Sequence, residues 1–346
     1  MLNLNDREWK AFKVKDIFLI EKCKCSSVST LKPGNFPYVG ATNRNNGIMS
    51  FVEKKDKWTT KGNCIVFICD GQGSVGYSIY KKEDFIGSTT LKVGRSEHLN
   101  RYTAQFLVSA LDKNRPMYSY GYKRNENRLL NESIMLPAAE NGQPDYVFME
   151  QYIRERENKL KQTYIDFVNL ELEMPLTKLA EKKWKEFFIS DICYISSGRD
   201  IYDSEREEGD VPYITSTASN NGIKYYVSNT NETLEENAIS VNRNGSVGYS
   251  FYHKYKALYS NDCRKLKLKQ CRNEFVALFI TNQITQQKDK YNYGYKMGTG
   301  RLKKQMIMLP ITNDGSPDYE YMEQYIKAIM IGKYKKFLEY QNCLTP

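Results

Sequence analysis

Histidine is almost absent from this chain of 346 residues; His98 and His253 are the only two. No GxxxxGK[ST] phosphate loop, HExxH metal helix or GxSxG elbow occurs, so P-loop phosphoryl chemistry, zinc proteolysis and elbow-type hydrolysis lack the residues they need. The [DN]PP[YF] string typical of amino-methyltransferases is missing too. The eight cysteines, at 23, 25, 64, 69, 193, 263, 271 and 343, form no paired CxxC set. That argues against a structural zinc site or a disulfide frame and predicts reduced thiols filling core and surface. No apolar run is long enough for a membrane span, and the start, MLNLNDREWK, lacks a basic-then-apolar signal pattern. These absences predict a soluble, cytoplasmic protein with no membrane contact, no metal and no cofactor of its own.

What the chain does have is itself, twice. Trp9, Phe12, Asp16 and Ile17 recur 175 residues later as Trp184, Phe187, Asp191 and Ile192. Pro37-Tyr38 returns as Pro212-Tyr213, and Asn45-Asn46-Gly47-Ile48 as Asn220-Asn221-Gly222-Ile223. GSVGYS at 73–78 reappears at 245–250, YGYK at 120–123 at 293–296, IMLP at 134–137 at 307–310, and MEQYI at 149–153 at 322–326. Solenoid repeats run to roughly 20–50 residues, so this is a duplicated domain. A ligand with two related halves is the natural expectation. Neither the cysteines nor the histidines recur: Cys23 aligns with Gly198, Cys193 with Phe18, and His98 does not align with His253. A mechanism built on histidine in both copies is therefore excluded.

The chain carries 51 basic and 41 acidic side chains. Split at Pro175, each copy keeps an excess of five positive charges. Two comparably electropositive surfaces suit nucleic acid or another polyanion, although a solvated lysine-rich surface gives the same sum.

Each copy opens with short β-branched and aromatic segments broken by turn signals. In the first these are 17–20, 37–39, 64–68, 77–80 and 89–93, with breaks at Pro33-Gly34, Asn46-Gly47, Lys61-Gly62 and the glycines of 71–76. One amphipathic helix per copy is predicted, over 102–111 and 274–284. A stretch free of glycine and proline then runs from Asp145 to Glu173, with Met149, Ile153, Leu160, Tyr164, Phe167 and Leu170 at helical spacing. Pro144-Asp145 reads as its entry and Pro175 as its end. Twenty-nine helical residues would span roughly 43 Å. The second copy ends similarly over Asp318–Gln341, and the two helices are expected to pair antiparallel as a spacer.

Gly71-Gln72-Gly73-Ser74-Val75-Gly76 is a literal GxGxxG, but YSIYKKEDF after it reads as a strand, where a dinucleotide site needs a helix. The second copy lacks the first glycine. A tight turn between strands is the better reading. The carboxylates Asp16 and Asp191, and Glu150 and Glu323, do recur, and without a partner base they read as capping or surface pairing.

The order WKxFxxxDI, PYV, NNGI, GSVGY, IMLP and long helix, in duplicate over nearly the whole chain, resembles the specificity (S) subunits of bacterial type I restriction–modification systems. It is similar in plan also to the S subunits of type IIB systems of the BcgI kind; the compact length slightly favours these or a small type I member. The resemblance implies an α+β fold of two tandem target recognition domains, residues 1–143 and 176–316, mixed and β-rich. Each is followed by a long spacer helix, 144–175 and 317–346, packed as an antiparallel, coiled-coil-like pair with pseudo-twofold symmetry. Each domain would read half of a bipartite site on double-stranded DNA. Two methyltransferase subunits, and restriction subunits in a full complex, would dock on the helices; S-adenosylmethionine and the adenine chemistry would belong to those partners. Modules some 43 Å apart would straddle about a dozen base pairs.

Basic and amide side chains on loops are the groups that reach phosphates and base edges. The candidates are Arg44, Asn45, Asn46, Lys123, Arg124 and Arg128 in the first copy, and Asn220, Asn221, Lys224, Arg243, Lys296 and Arg301 in the second. Residues identical between copies favour a scaffold role, so Asn46 and Asn221 also read as turn formers. Two other classes stay open: an enzyme fragment of a fused restriction–methyltransferase, and a duplicated protein-interaction adaptor that never touches DNA.

Overall fold

The computed structural model describes residues 1–25, 28–71, 73–119, 121–169 and 178–344. Contacts divide the chain into two compact units, Met1–Thr163 and Tyr164–Pro346. The predicted domain border at 175–176, the predicted helix end at 170–173 with Pro175, and Gln72 and Tyr120 of the repeated strings lie outside the described residues.

In the first unit the strands are β1 (Trp9–Lys13), β2 (Leu19–Lys22), β3 (Pro33–Val39), β4 (Ile48–Val52), β5 (Thr59–Thr60), β6 (Cys64–Ile68), β7 (Ser78–Lys81), β8 (Phe85–Gly87), β9 (Leu91–Arg95) and β10 (Ser133–Pro137). They form sheets ordered β2-β9-β6-β7 and β4-β3-β8-β5, with β1 paired to β10. The helices are α1 (Val14–Ile17), α2 (Arg101–Asp112), α3 (Glu126–Asn131) and α4 (Tyr146–Val168). Every residue of β6 is buried, so its run CIVFI holds the centre of its sheet with apolar side chains on both faces. Asn100 caps α2 by accepting from the amides of Tyr102 and Thr103, and Ala104, Leu107 and Leu111 then turn one apolar face inward. The expected strand over 17–20 begins later than predicted. Val14 and Ile17, both buried and one helical turn apart, make a short helix, and extended structure starts at Leu19.

The second unit repeats the plan with β11 (Trp184–Phe188), β12 (Cys193–Ser197), β13 (Glu208–Ile214), β14 (Ile223–Val227), β15 (Ala238–Asn242), β16 (Ser250–His253), β17 (Leu258–Tyr259), β18 (Cys263–Leu268) and β19 (Met306–Pro310). The sheet orders are β12-β18-β15-β16 and β14-β13-β17, with β11 on β19. Its helices are α5 (Ile189–Ile192), α6 (Glu274–Thr285), α7 (Thr299–Lys304) and α8 (Tyr319–Leu344). The registers match across copies: Ile65 opposes Tyr80 and Gly94, as Ile239 opposes Tyr252 and Leu266.

The long helices start as the Pro-Asp strings predicted. Asp145 caps α4 by accepting from the Phe148 amide, and Asp318 caps α8 by accepting from the Tyr321 amide, each at 2.9 Å. The recurrent carboxylates then tie helix to domain. Glu150 accepts from Asn100 at 2.7 Å, and Glu323 from Asn273 at 2.6 Å; since both asparagines are N-caps, each long helix is locked to the start of the helix it crosses. Met149 sits in the core of the first unit and Met322 in that of the second. Helix α4 covers 23 residues, about 35 Å rather than 43 Å. Its last residues belong to the second unit, where Tyr164 stacks on Tyr334 at 4.1 Å and Phe167 meets Tyr334 edge-on.

Candidate nucleic-acid interface

The candidates fall on three places in each unit. The first is the turn between β3 and β4, and between β13 and β14. Asn45, Asn46 and Gly47 have φ of 49°, 52° and 78°, and Asn220, Asn221 and Gly222 have 49°, 53° and 76°. Three consecutive left-handed residues explain Asn-Asn-Gly in both copies, because asparagine and glycine tolerate that region. Asn221 is further occupied, donating to the Tyr252 carbonyl at 3.3 Å and to the Tyr255 hydroxyl at 3.0 Å. Asn46 and Asn221 thus shape the turn, while Arg44, Asn45, Asn220 and Lys224 stand exposed on it. The ammonium of Lys224, beside Tyr225, holds that phenol below its usual range.

The second place is the glycine turn. GSVG joins β6 to β7 and β15 to β16, so it lies within antiparallel hairpins. At Gly248, with φ of 82°, a Cβ would come within 2.7 Å of the Lys288 backbone, so the repeat reflects close packing rather than phosphate binding. Just before this turn, Arg243 lies 3.6 Å from Asp262, and Asn244 donates to the same carboxylate at 3.1 Å. Arg264 stands beside Arg243, almost fully buried. It donates to Thr299 at 2.6 Å and to the carbonyls of Asn261 and Cys263. Burial, and then the neighbouring Arg243, lower its pKa.

The third place is the loop into α3 and α7. Arg128 donates to the Lys123 carbonyl at 2.8 Å with its guanidinium 3.6 Å over Tyr122. Arg301 does the same to the Lys296 carbonyl, at 2.8 Å, and to Tyr295, at 4.0 Å. Lys123 pairs with Asp70 at 2.7 Å, and that hydrogen bond holds the Asp70 carboxyl below its usual range.

Arg124 corrects the sequence reading. It is fully buried, paired two-to-two with Glu132 at 2.8 and 2.9 Å, and also donates to Gly76 O and Ser78 Oγ. Reaching a phosphate would strip this guanidinium of every partner, so it belongs to the core. The buried Arg264 and the exposed Lys290 and Lys304 lie outside the repeated strings, so motif spacing does not single them out.

Among the described residues no group of three histidine, cysteine, aspartate or glutamate side chains is placed to hold a metal, and no helix is long and apolar enough to cross a membrane. Burial pushes the thiols of Cys64 and Cys193 up to about 12, away from nucleophilic use.

Residues 6–163 and again 181–338 match the family described as type I restriction modification DNA specificity domain. The chain belongs to that family. Over 322 residues it is 32% identical to S.BcgI, the specificity subunit of a type II restriction enzyme from Heyndrickxia coagulans, covering 92% of this chain and 94% of that one. Among solved structures it is similar to the type I S subunit from M. genitalium (17% identity, TM-score 0.45, covering 99% of this chain and 96% of that one). It is also similar to the HsdS subunit from Thermoanaerobacter tengcongensis (13%, 0.33, covering 98% and 92%). The chain is thus a specificity subunit of a restriction–modification system, with two tandem target recognition domains. Such subunits are the DNA-recognition, non-catalytic components, with DNA and methyltransferase as partners.

Proposed function

We propose that this specificity subunit reads a bipartite DNA site, one half with each domain, and that the half-sites differ because the loops differ. The observation that carries this reading is a repeated frame with unrepeated loop chemistry: the Asn-Asn-Gly turn and the arginine–tyrosine clamp occur in both units, while Arg44 faces Ser219 and Cys69 faces Arg243 across the repeat. Phosphate contacts come from Arg44, Lys123, Arg128, Lys224, Lys296 and Arg301; Arg243, without an identical counterpart, would read a base edge, and the shared Asn45 and Asn220 would add contacts common to both half-sites. Asn46 and Asn221 support the turns.

The functional division follows residues 1–143, 144–175, 176–316 and 317–346. The helical parts set the number of unread base pairs between half-sites and seat two methyltransferase subunits, which hold S-adenosylmethionine. Similarity to S.BcgI favours a type IIB-like assembly in the cytoplasm, with restriction activity carried by partner chains.

The test is modification mapping. The chain is co-expressed with its methyltransferase in a host lacking adenine methylation, and N6-methyladenine is mapped across the genome. One split motif that appears only with this chain is expected. Exchanging residues 1–140 for those of a relative then changes one half of the motif alone. Two changed halves would end the idea of independent reading, and unchanged methylation with an active partner would favour the adaptor reading.

A further inference from the structure

The two domains carry equal net charge but place it differently. From Lys290 to Gln305 the second domain has five cations, Lys290, Lys296, Arg301, Lys303 and Lys304, and no carboxylate. The aligned stretch of the first, Met117 to Glu132, has three cations and two carboxylates. There Lys123 is paired with Asp70 at the surface, which offsets its charge, and Arg124 is paired with Glu132 in the core. Among the described residues none of the five cations of the second domain is in an ion pair. Four of them, all but Lys296, are exposed.

Three of these cations line one feature. Lys290, Arg301 and Lys304 border an open groove of about 1030 Å³, with Tyr291 and Tyr295 on its wall and Glu186 as its one acid. The first domain puts Met117 and Asn131 where Lys290 and Lys304 stand. Arg301 is already held by Tyr295 and the Lys296 carbonyl, so little side-chain freedom remains to be lost on meeting an anion. Tyr291 is fixed by donating to Gln305 at 2.6 Å.

We propose that this groove is a phosphodiester seat that the second domain alone possesses, so that the two domains contribute unequally to affinity. It rests on the DNA-reading function above and adds a division of labour to it: the second domain supplies the larger share of backbone anchoring, and the first, where two of the three cations in the matching stretch are paired with carboxylates, supplies the smaller. An open groove edged by unpaired cations with fixed aromatic walls suits a nucleic-acid backbone. Each phosphate contact contributes about −0.9 to the slope of log K against log salt concentration.

The experiment uses the full chain, a random-sequence duplex and a salt series. Lys290→Met with Lys304→Asn installs the residues that the first domain carries at these positions. The slope should become shallower by about 1.8, equivalent to about tenfold less affinity lost between 50 and 200 mM salt. Met117→Lys with Asn131→Lys in the first domain should not steepen it equally, because Lys123 and Arg124 beside them stay paired with Asp70 and Glu132. Circular dichroism and the salt slope of the wild-type chain serve as references. If the double variant folds and keeps the wild-type slope, the groove is not a phosphate seat, while the DNA-reading function stands. Unchanged DNA binding together with weakened capture of the methyltransferase would also overturn it, making the groove a protein-docking site. A wild-type chain that binds no DNA, alone or with its partner, would instead remove the function on which the proposal rests.

Discussion

At one buried point the two domains solve the same packing problem with opposite chemistry. The first encloses Arg124 and Glu132, with Tyr118 donating to the carboxylate at 2.7 Å and Phe67 4.9 Å from the guanidinium. The second has Met297 and Gln305, with Tyr291 donating to the amide oxygen. A second pair of sites diverges in the same way. Lys81, buried and paired with Glu83, is matched by His253, which shares a hydrogen bond with Ser240 at 2.9 Å and another with Tyr255 at 3.2 Å. The backbone frame was kept through duplication while its polar contents were exchanged as sets. At both points the charge and its counter-charge were replaced together.

The largest effect follows from breaking one half of such a set. Glu132→Gln alone leaves Arg124 in the core without its carboxylate, and should cost the first domain about 3–5 kcal/mol. Adding Arg124→Met recreates the pair used by the second domain and should restore most of that loss, since uncharged pairs of similar volume often match a buried ion pair. Domain-resolved hydrogen exchange on the full chain separates the two units. If the double variant were as damaged as the single, the two interiors would not be interchangeable solutions.

A smaller effect separates the domains by pH. Burial pushes His253 down to about 4, while in the unfolded chain a histidine takes up its proton near ~6.5. Between these values the unfolded state binds the extra proton, so stability of the second domain falls as pH drops through this window, by at most about 1.4 kcal/mol per unit. Above it the term vanishes. His253→Gln should flatten the dependence. The first domain, with lysine in this place, should lack the histidine term in either protein. Equal acid sensitivity of both domains in the wild type would show that other groups dominate.

Much of the frame was legible because it was written twice. The strand at 64–68 was marked by an unbroken apolar run, the turns by Asn-Asn-Gly, and the helix entries by Pro-Asp. What was not legible depended on partners distant in the chain. Arg124 follows Lys123 in a basic string and looks superficial, and only folding brings Glu132, Gly76 and Ser78 around it. Glu150 and Glu323 read as surface carboxylates until the N-caps they hold came into view. Lys290 and Lys304 escaped for another reason. Equal net charge per copy concealed that five cations of the second domain fall in one acid-free stretch, 290–305.

The finest test of the unequal domains uses the feature they share most closely. Arg128 and Arg301 make the same clamp, a carbonyl hydrogen bond of 2.8 Å and a tyrosine face at 3.6 and 4.0 Å. Replacing either with alanine removes a similar cation–π contact, about 0.5–1 kcal/mol at exposed sites, so both variants should lose a comparable, small amount of stability. Their effects on DNA should differ. Arg301 stands with Lys290 and Lys304 around one groove, whereas Arg128 has Met117 and Asn131 at the matching positions. Loss of Arg301 should therefore weaken retention of a random-sequence duplex at fixed salt more than loss of Arg128. Because the structural cost is matched, the difference between the two variants reports the anchoring role alone; equal losses would mean that the clamp serves both domains alike and that anchoring is shared.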